Sequence, residues 1–172
     1  MQKLFIGMIF VFLDFTFNLN TTRIGLIPDF VGYIIMLQGL SELAEQSDRF
    51  VSIRPYVLGM AIYAGALYLF DLLGVTATAG IGAWLLGLIS TGISLYISYS
   101  IVLGVMDIEQ LQMRDLDGAK LLQVWKAYAI VSAAVFLLYL IPVLNILSII
   151  AGFAMGIYFL VAFHKTKELY GA

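Results

Sequence analysis

Two aspartates stand where a carboxylate is costly. Asp14 and Asp29 lie within apolar runs of a 172-residue chain that is 62% hydrophobic and 12% charged. Near the middle of a bilayer each costs roughly 3 kcal/mol on insertion scales, so it must be paired, protonated or wetted. Such groups can recognise a cation or a small polar solute. Two of them in contact would share a proton, because like charges raise one pKa strongly. Asn18 and Asn20 supply amides nearby, and Arg23, on the segment between the aspartates, is the available counter-ion. Asp71 and Asn145, at the ends of later apolar runs, could complete an outward-facing polar pocket. The candidate ligand-binding residues are therefore Asp14, Asn18, Arg23, Asp29 and Asp71.

Each has a plainer reading beside the chemical one. Asp14, Asn18 and Arg23 could form an ion pair and amide clamp that holds the first hairpin without any ligand. Asp29 would complement the positive end of a helix begun at Pro28 in either case. For Asp71 a capping or interfacial role is the stronger reading, and Asn145 reads first as a turn residue.

The composition says what must position these groups. A mean hydropathy of +1.01 is far from a soluble domain, which is about half apolar and a quarter charged. Without cysteine there is no disulfide framework or thiolate metal site, and nine Lys+Arg against eleven Asp+Glu leave no basic excess for nucleic acid. The expectation is one all-α membrane domain over residues 1–172, with the lipid bilayer as its surroundings and neither cofactor nor metal.

Charge-free runs define the spans. Ala127 to Phe163 carries no Asp, Glu, Lys or Arg; as one helix it would be about 55 Å long, nearly twice a bilayer core. It must fold back, and Pro142 with Asn145 marks the place. Similar reasoning splits Leu72 to Met106 at the small-residue segment Gly74 to Gly80. The result is a polytopic helical bundle with spans at about 3–20, 28–44, 55–74, 81–106, 118–141 and 145–164, arranged as three in-out-in hairpins. With the N-terminus inside, Lys3, Arg49, Arg54, Arg114, Lys120, Lys126, Lys165 and Lys167 fall on the inner side and only Arg23 outside. That asymmetry satisfies the positive-inside rule and puts both termini in the cytoplasm. The polar stretches Ser41 to Arg54 and Asp107 to Lys120 read as helix extensions, with Glu45 and Arg49 paired at i,i+4 and Asp117 capping the fifth span.

The second span is short. Starting at Pro28 it supplies about 18–20 Å of helix where about 30 Å is needed. Thr21 to Ile27 must therefore enter as broken or re-entrant backbone, which survives at that depth only when buried in protein or lining a wet cavity. On this span Gly25, Asp29, Gly32, Met36 and Gly39 follow helical spacing, as do Gly7, Val11, Asp14 and Asn18 on the first, so the two aspartates could meet at one depth. Gly25, Gly32 and Gly39, with Gly152 and Gly156 on the last span, are the helix-packing candidates. Trp84, Gly87, Thr91, Ser94 and Ser98 make a fourth-span stripe, with Ser90 beside it, that could line a solute path but reads better as helix packing. Met and aromatic residues are scattered through every span and require no cofactor.

No enzyme signature survives. His-Glu-x-x-His, Gly-x-Ser-x-Gly and phosphate-loop patterns are missing, and the sole histidine, His164, reads as an interfacial anchor. The segment Leu26-Ile27-Pro28-Asp29-Phe30-Val31-Gly32-Tyr33 resembles the Pro-Asp-Phe-x-Gly-Tyr signature of a group of small six-span membrane proteins from Gram-positive bacteria. That resemblance covers about the first 50 residues; it implies a bacterial plasma membrane and a shared six-span fold, and it carries no mechanism. Size and span count are also similar to the substrate-binding subunits of energy-coupling-factor transporters, although the Ala-x-x-x-Ala docking pattern of that group is not matched. The leading expectation is a non-catalytic, transport-class protein capturing a small solute or cation at the first hairpin. The alternative is an interaction subunit, docking a membrane protein or a second copy through its glycine stripes.

Overall fold

The computed structural model describes residues 1–12, 16–19, 22–25, 28–73, 81–138 and 141–171. Six helices account for most of them: α1 (Gln2–Phe12), α2 (Asp29–Glu42), α3 (Asp48–Leu72), α4 (Ile81–Gln112), α5 (Gly118–Leu137) and α6 (Pro142–Gly171). Four stretches are long and apolar enough to cross a membrane, Asp48–Phe70, Trp84–Gln112, Gly118–Leu137 and Val143–Gly171. The chain is a membrane-embedded helical protein. Over the 11 and 14 residues described, α1 and α2 span about 17 and 21 Å at 1.5 Å per residue, less than a bilayer core.

The first helix stops earlier than its apolar run suggests. Instead of a helix continuing to residue 20, α1 (described as Gln2–Phe12) gives way before Thr16, where β1 (Thr16–Leu19) pairs antiparallel with β2 (Thr22–Gly25). The cause is local: Thr and Asn are weak helix formers, and Thr16-Phe17-Asn18-Leu19 alternates polar with apolar at the strand period. Asn18 therefore leaves the helical stripe of Gly7 and Val11 and stands opposite Arg23 in the hairpin register. Gly25 closes β2 rather than opening the helical stripe of α2.

Other boundaries move for equally local reasons. Residues 43–46 form a turn, so Glu45 and Arg49 do not share a helix; Arg49 Nε instead meets Asp107 Oδ2 on α4 at 3.0 Å. Asp117 occupies the cap position of α5 but makes no side-chain cap bond, because its backbone is left-handed (φ 59°) and its carboxylate binds Lys165. Pro142 opens α6, where its missing N–H costs nothing. Asn145 is consequently inside the first helical turn, its N–H donating to the Ile141 carbonyl at 2.8 Å.

Each helix packs on its chain neighbours, and α1 closes against α6, so the six form a ring. The base, where both termini lie, is solid. Leu4, Met8, Leu40, Phe50, Ile53, Ile97, Ile101, Ile108, Leu121, Phe159 and Phe163 are each at most 2% exposed. Glycines set the closest approaches there. A Cβ on Gly32 would lie 2.7 Å from Phe10 Cβ and 2.9 Å from the Gly7 carbonyl, while one on Gly104 would lie 2.5 Å from the Phe50 ring. Polar clasps tie the base together: Ser47 Oγ donates to Asp107 Oδ2 at 2.5 Å, Lys3 pairs with Glu42 at 2.5 Å, and Gln46 Nε2 donates to the Tyr170 hydroxyl at 2.9 Å.

Candidate functional site

Towards the other end the ring is hollow. There the inward positions carry small side chains, Ala64 on α3, Ser90, Thr91 and Ser94 on α4, Ser132 on α5, Gly152 and Gly156 on α6. Six helices around an axis leave a hole that only bulky side chains fill, as Phe50 and Phe159 do at the base. A cavity of about 620 Å³ results, walled by residues from all six helices. Its size falls within the roughly 300–1,000 Å³ typical of small-molecule sites.

The walls are apolar and aromatic with polar tips. Val11 and Phe12 close the α1 side, Met60, Tyr63 and Tyr68 the α3 side, and Tyr128 and Phe136 the α5 side. Phe12 and Tyr128 pack ring against ring at 5.2 Å, and both lean on Phe159 at 5.7 and 5.8 Å. Tyr68 is steadied by Phe30 at 5.7 Å. The floor is a hydrogen bond: the Tyr33 hydroxyl on α2 and Ser94 Oγ on α4 lie 2.9 Å apart, and both also border a small void beneath, among Met8, Met36 and Ile97.

Asp29 is the charged lining residue among those described. It sits half-buried in the first turn of α2, after Pro28 at the cap position, where the positive helix end favours a carboxylate. One turn on, Tyr33 shares its face. Asp14 lies outside the described residues. Asn18 and Arg23 are cross-strand partners in the β-hairpin, and Asp71 is in the last turn of α3.

The fourth-span stripe divides. Gly87 packs near Phe136, which a Cβ there would meet at 3.7 Å, and Ser98 accepts the Trp125 indole N–H at 2.9 Å. Ser90, Thr91 and Ser94 instead line the cavity. Gly32 and Gly39 are taken up by α1, Gly152 faces Val135, and Gly156 faces Phe12 and Tyr128. These four glycines are turned into the bundle.

The tyrosines are what the sequence reading passed over. Tyr33, Tyr63, Tyr68 and Tyr128 each place a polar tip inside an apolar helix, a signal in principle visible because a buried Tyr hydroxyl usually wants a partner. It was masked by the abundance of aromatic residues, 12 Phe and 10 Tyr in all. No family model matches the chain, and neither a curated protein nor a solved structure gives a significant match.

Proposed function

We propose that this is a transport-class protein that captures a small solute in the cavity of its helix ring, without catalysing a reaction. In this reading all six helices belong to a six-span unit of a bacterial plasma membrane. Its base is cytoplasmic, and α1 and α2 complete their crossings through the β-hairpin. The observation that carries the proposal is the contrast between the two halves of the ring. One is packed solid, whereas the other holds an open cavity of about 620 Å³ faced by a carboxylate and several hydroxyls. A cavity that ends on a filled core can hold a solute but offers it no path through, which suits capture better than free conduction. The resemblance of the first hairpin to small Gram-positive membrane proteins agrees with the location.

Docking a partner through glycine stripes has less support, since Gly32, Gly39, Gly152 and Gly156 all face inward. The test is thermal unfolding in detergent across a broad solute panel. A saturable, ligand-dependent rise in melting temperature, weakened in Asp29→Asn, supports capture; unchanged melting across the panel with stable co-purification of another membrane protein supports docking. Orientation is tested separately in this cysteine-free chain. Single cysteines at Thr22 and Asn145 should react with an impermeant reagent from outside, and those at Ser47 and Asp115 only after the membrane is opened.

A further inference from the structure

We propose that the occupant of the cavity is a small organic monocation, a protonated amine or quaternary ammonium group carried on an apolar body of about ring size. This rests on the capture reading and names its substrate class. Three features of the wall lead to it.

The rings of Phe12, Tyr33, Tyr63, Tyr68, Tyr128 and Phe136 converge on one space from four helices. Aromatic faces attract cations through the ring quadrupole, more strongly when water is excluded, and several of them around one space form the usual cage for an ammonium group. A carboxylate stands on the same wall at Asp29, and a carboxylate retains acceptor capacity beyond any one partner. No Lys, Arg or His lines the space among the described residues. Beside that carboxylate an anionic solute would lose its hydration without meeting an opposite charge from the described lining residues.

Two other classes fit less well. Polyols are gripped by paired donors and acceptors of amide type, yet no Asn or Gln lines the wall among the described residues. Of the hydroxyls, Tyr33 and Ser94 are bonded to each other, and Ser90 donates to the Gly87 carbonyl at 3.0 Å. A bare metal ion would rattle in about 620 Å³, and no cluster of three or more carboxylate, imidazole or thiol groups exists among the described residues to hold one.

The experiment uses the full chain in lipid nanodiscs and three probes of similar shape: benzyltrimethylammonium, benzyl alcohol and phenylacetate. The cation should bind saturably and at least tenfold more tightly than the alcohol, and the anion should not bind. Asp29→Asn should weaken the cation tenfold or more and leave the alcohol unchanged. Tyr63→Leu should weaken it about 2- to 30-fold, with Tyr63→Phe restoring it, because the ring and not the hydroxyl carries the attraction. The tyrosine pair keeps the test open if Asp29→Asn fails to fold. Equal binding of alcohol and cation, preferential binding of the anion, or a cation-to-alcohol ratio unmoved in both Asp29→Asn and Tyr63→Leu would overturn the substrate class while leaving capture intact. Silence from these probes, together with silence from the broad solute panel, would overturn both.

Discussion

The hydroxyls of Tyr33 and Ser94, 61 residues apart in sequence, meet at 2.9 Å across the ring and join two helices, α2 and α4, that are not neighbours around it. The bond separates the hollow half from the packed half, so it fixes both the depth of the cavity and the spacing of its walls. In a low-dielectric interior an unmade hydrogen bond is expensive, and each hydroxyl satisfies the other.

Tyr33→Phe and Ser94→Ala should each lower stability by about 1 kcal/mol, within the range seen for hydrogen bonds between membrane helices. The double variant should cost little more than the larger single change, since the second substitution removes a group already left without its partner. Denaturant unfolding in detergent measures all three. Full additivity would mean that the pair does not act as a unit.

Glycine positions should divide sharply by environment. Gly32→Ala places a methyl 2.7 Å from Phe10 Cβ and 2.9 Å from the Gly7 carbonyl; neither backbone can yield without separating α1 from α2, at a cost of about 1–3 kcal/mol. Gly59→Ala and Gly92→Ala meet nothing within 4 Å and should be neutral or stabilising by up to about 1 kcal/mol, as helix propensity alone would give. Melting temperatures of the three variants decide it.

Gly104 makes room for one particular ring. Its alanine variant should be destabilised by about 1–3 kcal/mol, because Phe50 is fully buried and the new methyl would sit 2.5 Å from its ring. Pairing Gly104→Ala with Phe50→Leu should recover part of that loss relative to the sum of the single variants. No recovery would place the cost in backbone shifts elsewhere.

The clasp between Asp117 and Lys165 predicts an acid limb. The hydrogen bond from the Lys165 ammonium, ahead of its charge, holds the Asp117 carboxyl below the usual aspartate range. A carboxyl depressed in the folded state contributes stability that is present above its unfolded value and lost as pH falls through the folded one. The melting difference between the native chain and Asp117→Asn should therefore be constant near neutrality and shrink below about pH 4. Lys165 is exposed and Asp117 partly so, so the difference should also diminish in high salt. A difference that persists undiminished at pH 2 would assign the effect to the left-handed backbone at Asp117.

Much of this protein is legible along the chain. Charge-free runs, Pro142 and the small-residue segment after Leu73 mark four long membrane helices, because a bilayer demands uninterrupted apolar length and the requirement is local. The shortness of α2 and the presence of Asp29 at its start are equally local. The end of α1 before Thr16 was also written there, in the Thr and Asn alternation of Thr16 to Leu19, but the apolar run around it gave the stronger signal. What only the tertiary structure decided is where the hollow lies. Ser94, Ser132 and Gly152 look like ordinary packing residues one helix at a time. They become the wall of a cavity because six helices close into a ring whose small inward residues gather at one end and large ones at the other. A void belongs to no single segment; it is the volume that neighbours, taken together, fail to fill.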